Sequence, residues 1–176
     1  MLRWPHETWT GALATAAESP QYGFIFVDGK ERETKVSYAE VWRRACAVAG
    51  ALMAQGVQPG ERLAIILPTG QPFMDAFFGI QLAGAVPVPM YPPVRLGRLD
   101  EYFARTSAML QAGEAVGLIT DGRIRRLLGK AVLDVRPRLG LLDAGQLLKA
   151  GDHEAVRPTI GADDPAMIQF SSGTTR

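Results

Sequence analysis

Residues 170–175 read Phe-Ser-Ser-Gly-Thr-Thr, directly after the run Ala166-Met167-Ile168-Gln169. These residue types at this spacing suit the binding of a phosphate. Glycine lets the backbone approach closely, successive N–H groups form an anion-binding concavity, and hydroxyls add further donors. Open parallel sheets hold their ligands beyond the carboxyl ends of the strands, so Ser171, Ser172, Gly173, Thr174 and Thr175 are the candidate cofactor-binding residues. Taken alone, the same string also suits a surface turn. A serine nucleophile needs a neighbouring base and an oxyanion hole, and no motif links His6 or His153 to this loop. The chemistry expected here is phosphate cradling, with no catalytic residue assigned.

Other constellations are weaker. The sequence holds no G-x-x-x-x-G-K-[ST] loop, no G-x-G-x-x-G at a strand end and no Cys/His spacing suited to a metal. Asp163-Asp164 stand before Pro165 and read as a turn. Tyr91-Pro92-Pro93 reads as a stiff extended connection, with lining of an acyl pocket as the alternative. Cys46 sits among alanines and reads as a small buried hydrophobe.

Composition narrows the class. Nineteen basic and 18 acidic residues leave a net charge of +1, which supplies no broad field for nucleic acid or an anionic membrane. Arg123, Arg125, Arg126 and Lys130 cluster on a predicted helix and read as a solvated face. The start MLRWPHETWT lacks the features of a signal peptide, and the uncharged run 76–94 is broken by Gly79, Gly84, Pro87, Pro89, Pro92 and Pro93. A soluble, cytoplasmic protein with no membrane span and no nucleic-acid partner is expected.

The elements that must position the loop follow from hydrophobic periodicity. Residues 22–27, the Asp28-Gly29 turn and residues 34–36 predict a short peripheral hairpin. Ser37 and Glu40 form a capping box, and Val41, Ala45, Val48 and Leu52 give the ensuing helix one apolar face, ended by Gly56. The continuous apolar run 63–67 predicts a strand covered on both faces. A helix over 72–82 and a strand over 86–90 complete a parallel crossover unit. A helix over 99–111, a strand at 116–120, a short helix at 124–128 and a strand at 139–142 continue the alternation. Residues 149–165 read as a polar surface connection into a final strand, 166–170. The fold class expected is α/β, a largely parallel sheet flanked by helices.

Phe170 through Thr175 resemble the signature phosphate loop of the adenylate-forming, or AMP-binding, superfamily, in which an aromatic residue precedes Thr/Ser-Ser-Gly-Thr-Thr-Gly and a Pro-Lys-Gly run. Leu82-Ala83-Gly84-Ala85-Val86-Pro87-Val88-Pro89 resembles the helix-to-strand element that precedes this loop in the superfamily. Met90-Tyr91-Pro92-Pro93 with Arg95-Leu96-Gly97-Arg98-Leu99 is most similar to the fatty acyl-AMP ligases and long-chain acyl-CoA synthetases. Ser37-Tyr38-Ala39-Glu40 and Gly60-Glu61-Arg62-Leu63-Ala64 resemble the family's opening, so the likeness covers most of the chain from Val36 onward. Arg176 stands where the common pattern has Gly, and the later family motifs have no counterpart in these 176 residues.

The resemblance implies that residues 1–176 form an amino-terminal α/β subdomain within the large N-terminal domain of an acyl-adenylating ligase. It implies ATP and Mg2+ as cofactors, a fatty acid as substrate, and coenzyme A or an acyl carrier protein as acceptor. Ser171, Ser172, Gly173, Thr174 and Thr175 would then hold the β- and γ-phosphates and orient the leaving pyrophosphate, and the chain alone would be inactive. Two other readings of the residues stand beside it: a non-catalytic ligand-binding α/β module, and an unrelated phosphate-binding α/β enzyme.

Overall fold

The computed structural model describes residues 6–93, 99–151 and 160–171. In chain order the elements are α1 (Trp9–Ala17), β1 (Gly23–Val27), β2 (Glu33–Ser37), α2 (Tyr38–Ala54), β3 (Arg62–Ile66), α3 (Gln71–Leu82), β4 (Val86–Pro89), α4 (Leu99–Ala112), β5 (Ala115–Thr120), α5 (Gly122–Val135), β6 (Leu141–Asp143) and α6 (Ala144–Ala150). Among the described residues, β4-β3-β5-β6 form a parallel sheet, and β1 and β2 form a separate antiparallel hairpin. The expected α/β class and peripheral hairpin are both present.

Side-chain alternation along β3 explains the layers. Leu63, Ile65 and Leu67 pack into the cluster formed with α2, α3 and α6, whereas Ala64 and Ile66 pack into the cluster with Leu110 of α4 and Ile124 and Leu128 of α5. Residues 63–66 are all fully buried, which is why the run is apolar without alternation. The hairpin turns Phe24, Phe26 and Val36 onto Leu13 and Val41, while Ile25 and Val27 face outward.

The Ser37 half of the expected α2 capping box forms. Ser37 Oγ accepts from Glu40 N at 3.2 Å, and the Glu40 carboxylate accepts from Arg43 Nε at 2.8 Å. The chain leaves α2 through Gly56, whose φ of 81° places it in the left-handed region that favours glycine.

Two expectations need correction, and helix α1 was not among the elements expected. Helix α1 has no clear apolar periodicity in WTGALATAA; its start is set by Thr8, whose side chain accepts from Gly11 N. Helix α5 runs to Val135, well past the short helix expected at 124–128, and Asp121 Oδ1 caps its start by accepting from Arg123 N and Ile124 N. The stretch read as a connection begins inside α6, which Asp143 caps by accepting from Gln146 N at 3.0 Å. Residues 152–159 of that stretch lie outside the described residues.

The expected final strand also differs. Residues 166–170 form no ladder, and the reason lies in the strand beside them. Val86 N and Met90 N donate to Glu61 O and Ile65 O of the β3 side, at 2.8 and 2.9 Å. Alternation along a strand therefore turns positions 87 and 89 outward, and both are proline, without an N–H. The outer edge of β4 can accept but not donate. Ile168 N donates to Pro87 O at 3.0 Å, and β4 has no N–H to give in return.

Helices α2 and α3 meet with little room to spare. A Cβ added at Gly79 would lie 2.6 Å from Val48 Cβ and Cγ1 and 3.1 Å from Ala45 O. Gly79→Ala is expected to lower unfolding free energy by about 1–2 kcal/mol in urea denaturation, overpacking outweighing the gain in helix propensity. Unchanged or higher stability would show that the helices separate freely.

Candidate functional site

Parallel strands release their chains at one end of the sheet, and several bonds brace that end here. Thr120 Oγ1, at the end of β5, donates to Ile66 O, at the end of β3, over 2.9 Å in a fully buried position. Tyr102 of α4 donates its hydroxyl to Tyr91 O, just beyond β4, at 2.9 Å. Burial pushes the Tyr102 phenol up from its ordinary value, so it remains a neutral donor. The ring of Tyr91 is 84% exposed, so this tie fixes its backbone and leaves the aromatic face open.

The segment 166–170 reaches this end along β4. Gln81, near the end of α3, donates from Nε2 to Ala166 O at 2.9 Å, and Ile168 then meets Pro87. These two contacts give the segment the direction of β4. Met167 packs on one core cluster, Ile168 and Phe170 on the other, the alternation expected of a strand. Ser171 follows in an exposed position. The remaining candidate residues, Ser172, Gly173, Thr174 and Thr175, lie outside the described residues, as do residues 95–98 of the Tyr-Pro-Pro region.

One buried charge lies near the same end. Asp75, in the second turn of α3, accepts from Arg44 Nε and Nη2 through Oδ2 at 2.9 and 2.7 Å, and Oδ1 has no hydrogen-bond partner among the described residues. Burial raises the Asp75 carboxyl, and the Arg44 bonds pull it back. The pair bolts α2 to α3 within the helical layer, which makes it a scaffold element. Among the described residues, no group of three or more His, Cys, Asp or Glu could hold a metal. Cys46 is buried, as expected of a small hydrophobe, and Arg123, Arg125 and Arg126 are exposed.

A cavity of about 170 Å³ lies at the opposite, amino end of the strands, among Thr8, Trp9, Gly60, Gly84 and Ala162. Glu7 and Asp164 also line it, so a triphosphate would meet two carboxylates there.

Residues 13–175 match the AMP-binding enzyme family. The chain belongs to that family. It is 32% identical over 147 residues to a long-chain-fatty-acid–AMP ligase of Mycobacterium marinum, covering 80% of this chain and 24% of that protein. It is 30% identical over 183 residues to the salicyl-AMP ligase / salicyl-S-ArCP synthetase of Mycobacterium tuberculosis, covering 98% and 29%. A solved structure, from studies of fatty acyl-adenylate ligases of E. coli and L. pneumophila, superposes with a TM-score of 0.89 at 28% identity, covering 97% of this chain and 31% of its own. The chain thus spans about a quarter to a third of the length of these relatives. Within this AMP-binding chain, no helix among the described residues is long and apolar enough to cross a membrane.

The sequence pattern did not single out Gln81 or Thr120. Gln81 carries a signal in retrospect, an amide inside the otherwise apolar run 76–83. Thr120 carries none, since a threonine ending a strand is unremarkable.

Arg44→Met tests the buried pair of this AMP-binding scaffold. Stranding the carboxylate is expected to cost about 2–4 kcal/mol at pH 7, short of the fully buried case because Arg44 is partly exposed. Asp75 would titrate higher still in the folded variant. A folded-state pKa raised above the unfolded one favours the folded state below the unfolded value, and that advantage is lost as pH rises through the folded one. The gap between wild type and variant in urea denaturation should therefore shrink from pH 7 towards about pH 4; a gap independent of pH would contradict a buried, stranded charge.

Proposed function

We propose that this chain is the amino-terminal α/β part of a longer ligase that activates a fatty acid as its acyl-adenylate. In the reaction, a carboxylate oxygen bonds to the α-phosphorus of ATP, and the bond from that phosphorus to the bridging oxygen of the pyrophosphate breaks. The acyl group then passes to the thiol of coenzyme A or of an acyl carrier protein, with release of AMP. The reading is carried by one observation: the AMP-binding family match runs through Thr175, and so includes the whole Ser-Ser-Gly-Thr-Thr loop. The fatty acyl preference is supported by the Tyr91-Pro92-Pro93 region, by the name of the M. marinum relative and by the superposed structure from studies of fatty acyl-adenylate ligases.

In this reading Ser171, Ser172, Gly173, Thr174 and Thr175 hold the β- and γ-phosphates through backbone N–H groups and hydroxyls. Their work is electrostatic: they bind charge that grows on the departing pyrophosphate and keep it in line. Magnesium requires oxygen ligands and keeps several waters, and among the described residues no acidic cluster is built to hold it. Carried on the triphosphate, it would supply counter-charge there.

The full-length protein should catalyse ATP–pyrophosphate exchange that depends on a medium- or long-chain fatty acid and exceeds that with salicylate. Thr174→Val and Thr175→Val keep the side-chain shape and remove a donor, and each should lower kcat/KM for MgATP by about 10- to 100-fold. Exchange absent with every carboxylic acid, or unaltered in both variants, would refute the proposal.

A further inference from the structure

We infer that Gln81 is a positioning residue that anchors the 166–170 segment beside β4, and with it the place where the phosphate loop begins. The inference rests on the proposed ligase reading only for its kinetic consequence. Gln81 is 6% exposed, and its neighbours in sequence Ala76, Phe77, Ile80, Leu82 and Ala83 are apolar core residues. A buried amide on such a surface is unfavourable unless its hydrogen bonds are made. Its Nε2 bond to Ala166 O spans 85 residues of sequence and reaches the segment two residues before Ile168 meets Pro87 O.

The need for such a tie follows from the proline edge of β4. A strand in a normal ladder is held by donors and acceptors from both partners, which makes a slip costly. Here Pro87 and Pro89 donate nothing, and among the described residues Ile168 N to Pro87 O is the one backbone bond between the segment and β4. A slide by two residues would bring Ala166 N or Phe170 N to the same carbonyl and keep every side chain on its own face. That slide would carry the loop about 6–7 Å along the sheet, far more than the tolerance of a phosphate site. Packing does not distinguish these registers by face. The Gln81 bond is a second attachment, and it must break before the segment can slide.

The test uses the full-length protein with Gln81→Met, which keeps the length and removes the donor, and Gln81→His, which returns an N–H at about the same reach. Amide hydrogen exchange reads the segment directly. In Gln81→Met, exchange at Ile168 should rise about tenfold, roughly the effect of losing one buried hydrogen bond, while residues 62–66 stay protected; Gln81→His should recover much of the protection. In ATP–pyrophosphate exchange, kcat/KM for MgATP should fall about tenfold, the equivalent of about 1.4 kcal/mol in transition-state binding. The KM for fatty acid should hold in the same variant.

Unaltered protection of Ile168 in Gln81→Met would overturn the inference. So would a loss of activity that tracks only the fraction of folded protein with kinetic constants unchanged. If the wild-type protein shows no carboxylate-dependent exchange, the ligase reading falls by itself, and protection of Ile168 still decides the role of Gln81.

Discussion

The edge of β4 is the constraint on which the rest of the site depends. Two prolines at alternate positions remove both outward N–H groups and leave a row of carbonyls, so any neighbour must come to this edge as a donor. On its other side β4 is a normal member of the sheet, bonded to β3 and buried through Val86 and Val88. The same four residues therefore join a rigid parallel sheet to a segment attached at one point. An edge without donors also resists pairing with a stray strand, a usual hazard of exposed sheet edges.

Rigidity is concentrated behind that edge. The α2–α3 layer meets at Gly79 without space for a methyl group, and the Arg44–Asp75 pair crosses between the same helices. Gln81 lies on α3 just beyond this contact, so the helix that reaches out to Ala166 is itself held against movement. Thr120 and Tyr102 brace the ends of β3, β5 and β4. Sequence dictates each of these, yet the effect is collective: a fixed frame presents one segment, 166–170, that leads to the Ser-Ser-Gly-Thr-Thr loop.

Much of the fold was legible in the sequence because its core elements obey simple periodicities. The β3 run, the Val41, Ala45, Val48 and Leu52 face and the Ser37 cap all form as their residue types predict. Helices α1 and α6 were missed because their starts are set by single capping side chains, Thr8 and Asp143, with too few turns to show a face. The 166–170 run has the composition of a strand and the alternation of one; what denies it a ladder is chemistry in another part of the chain, at Pro87 and Pro89. The loop itself was legible as a string, whereas the amide that orders its approach was hidden, since the partner of Gln81 lies 85 residues away.

The central claim is that this frame delivers residues 171–175 to the phosphates of ATP. A crystal structure of the full-length protein with a non-hydrolysable ATP analogue tests it most directly. The account predicts the β- and γ-phosphates within hydrogen-bond distance of the backbone N–H groups of residues 172–175, with Gln81 still bonded to Ala166 O. A triphosphate bound elsewhere, for instance in the amino-end cavity beside Trp9 and Gly60, would contradict it.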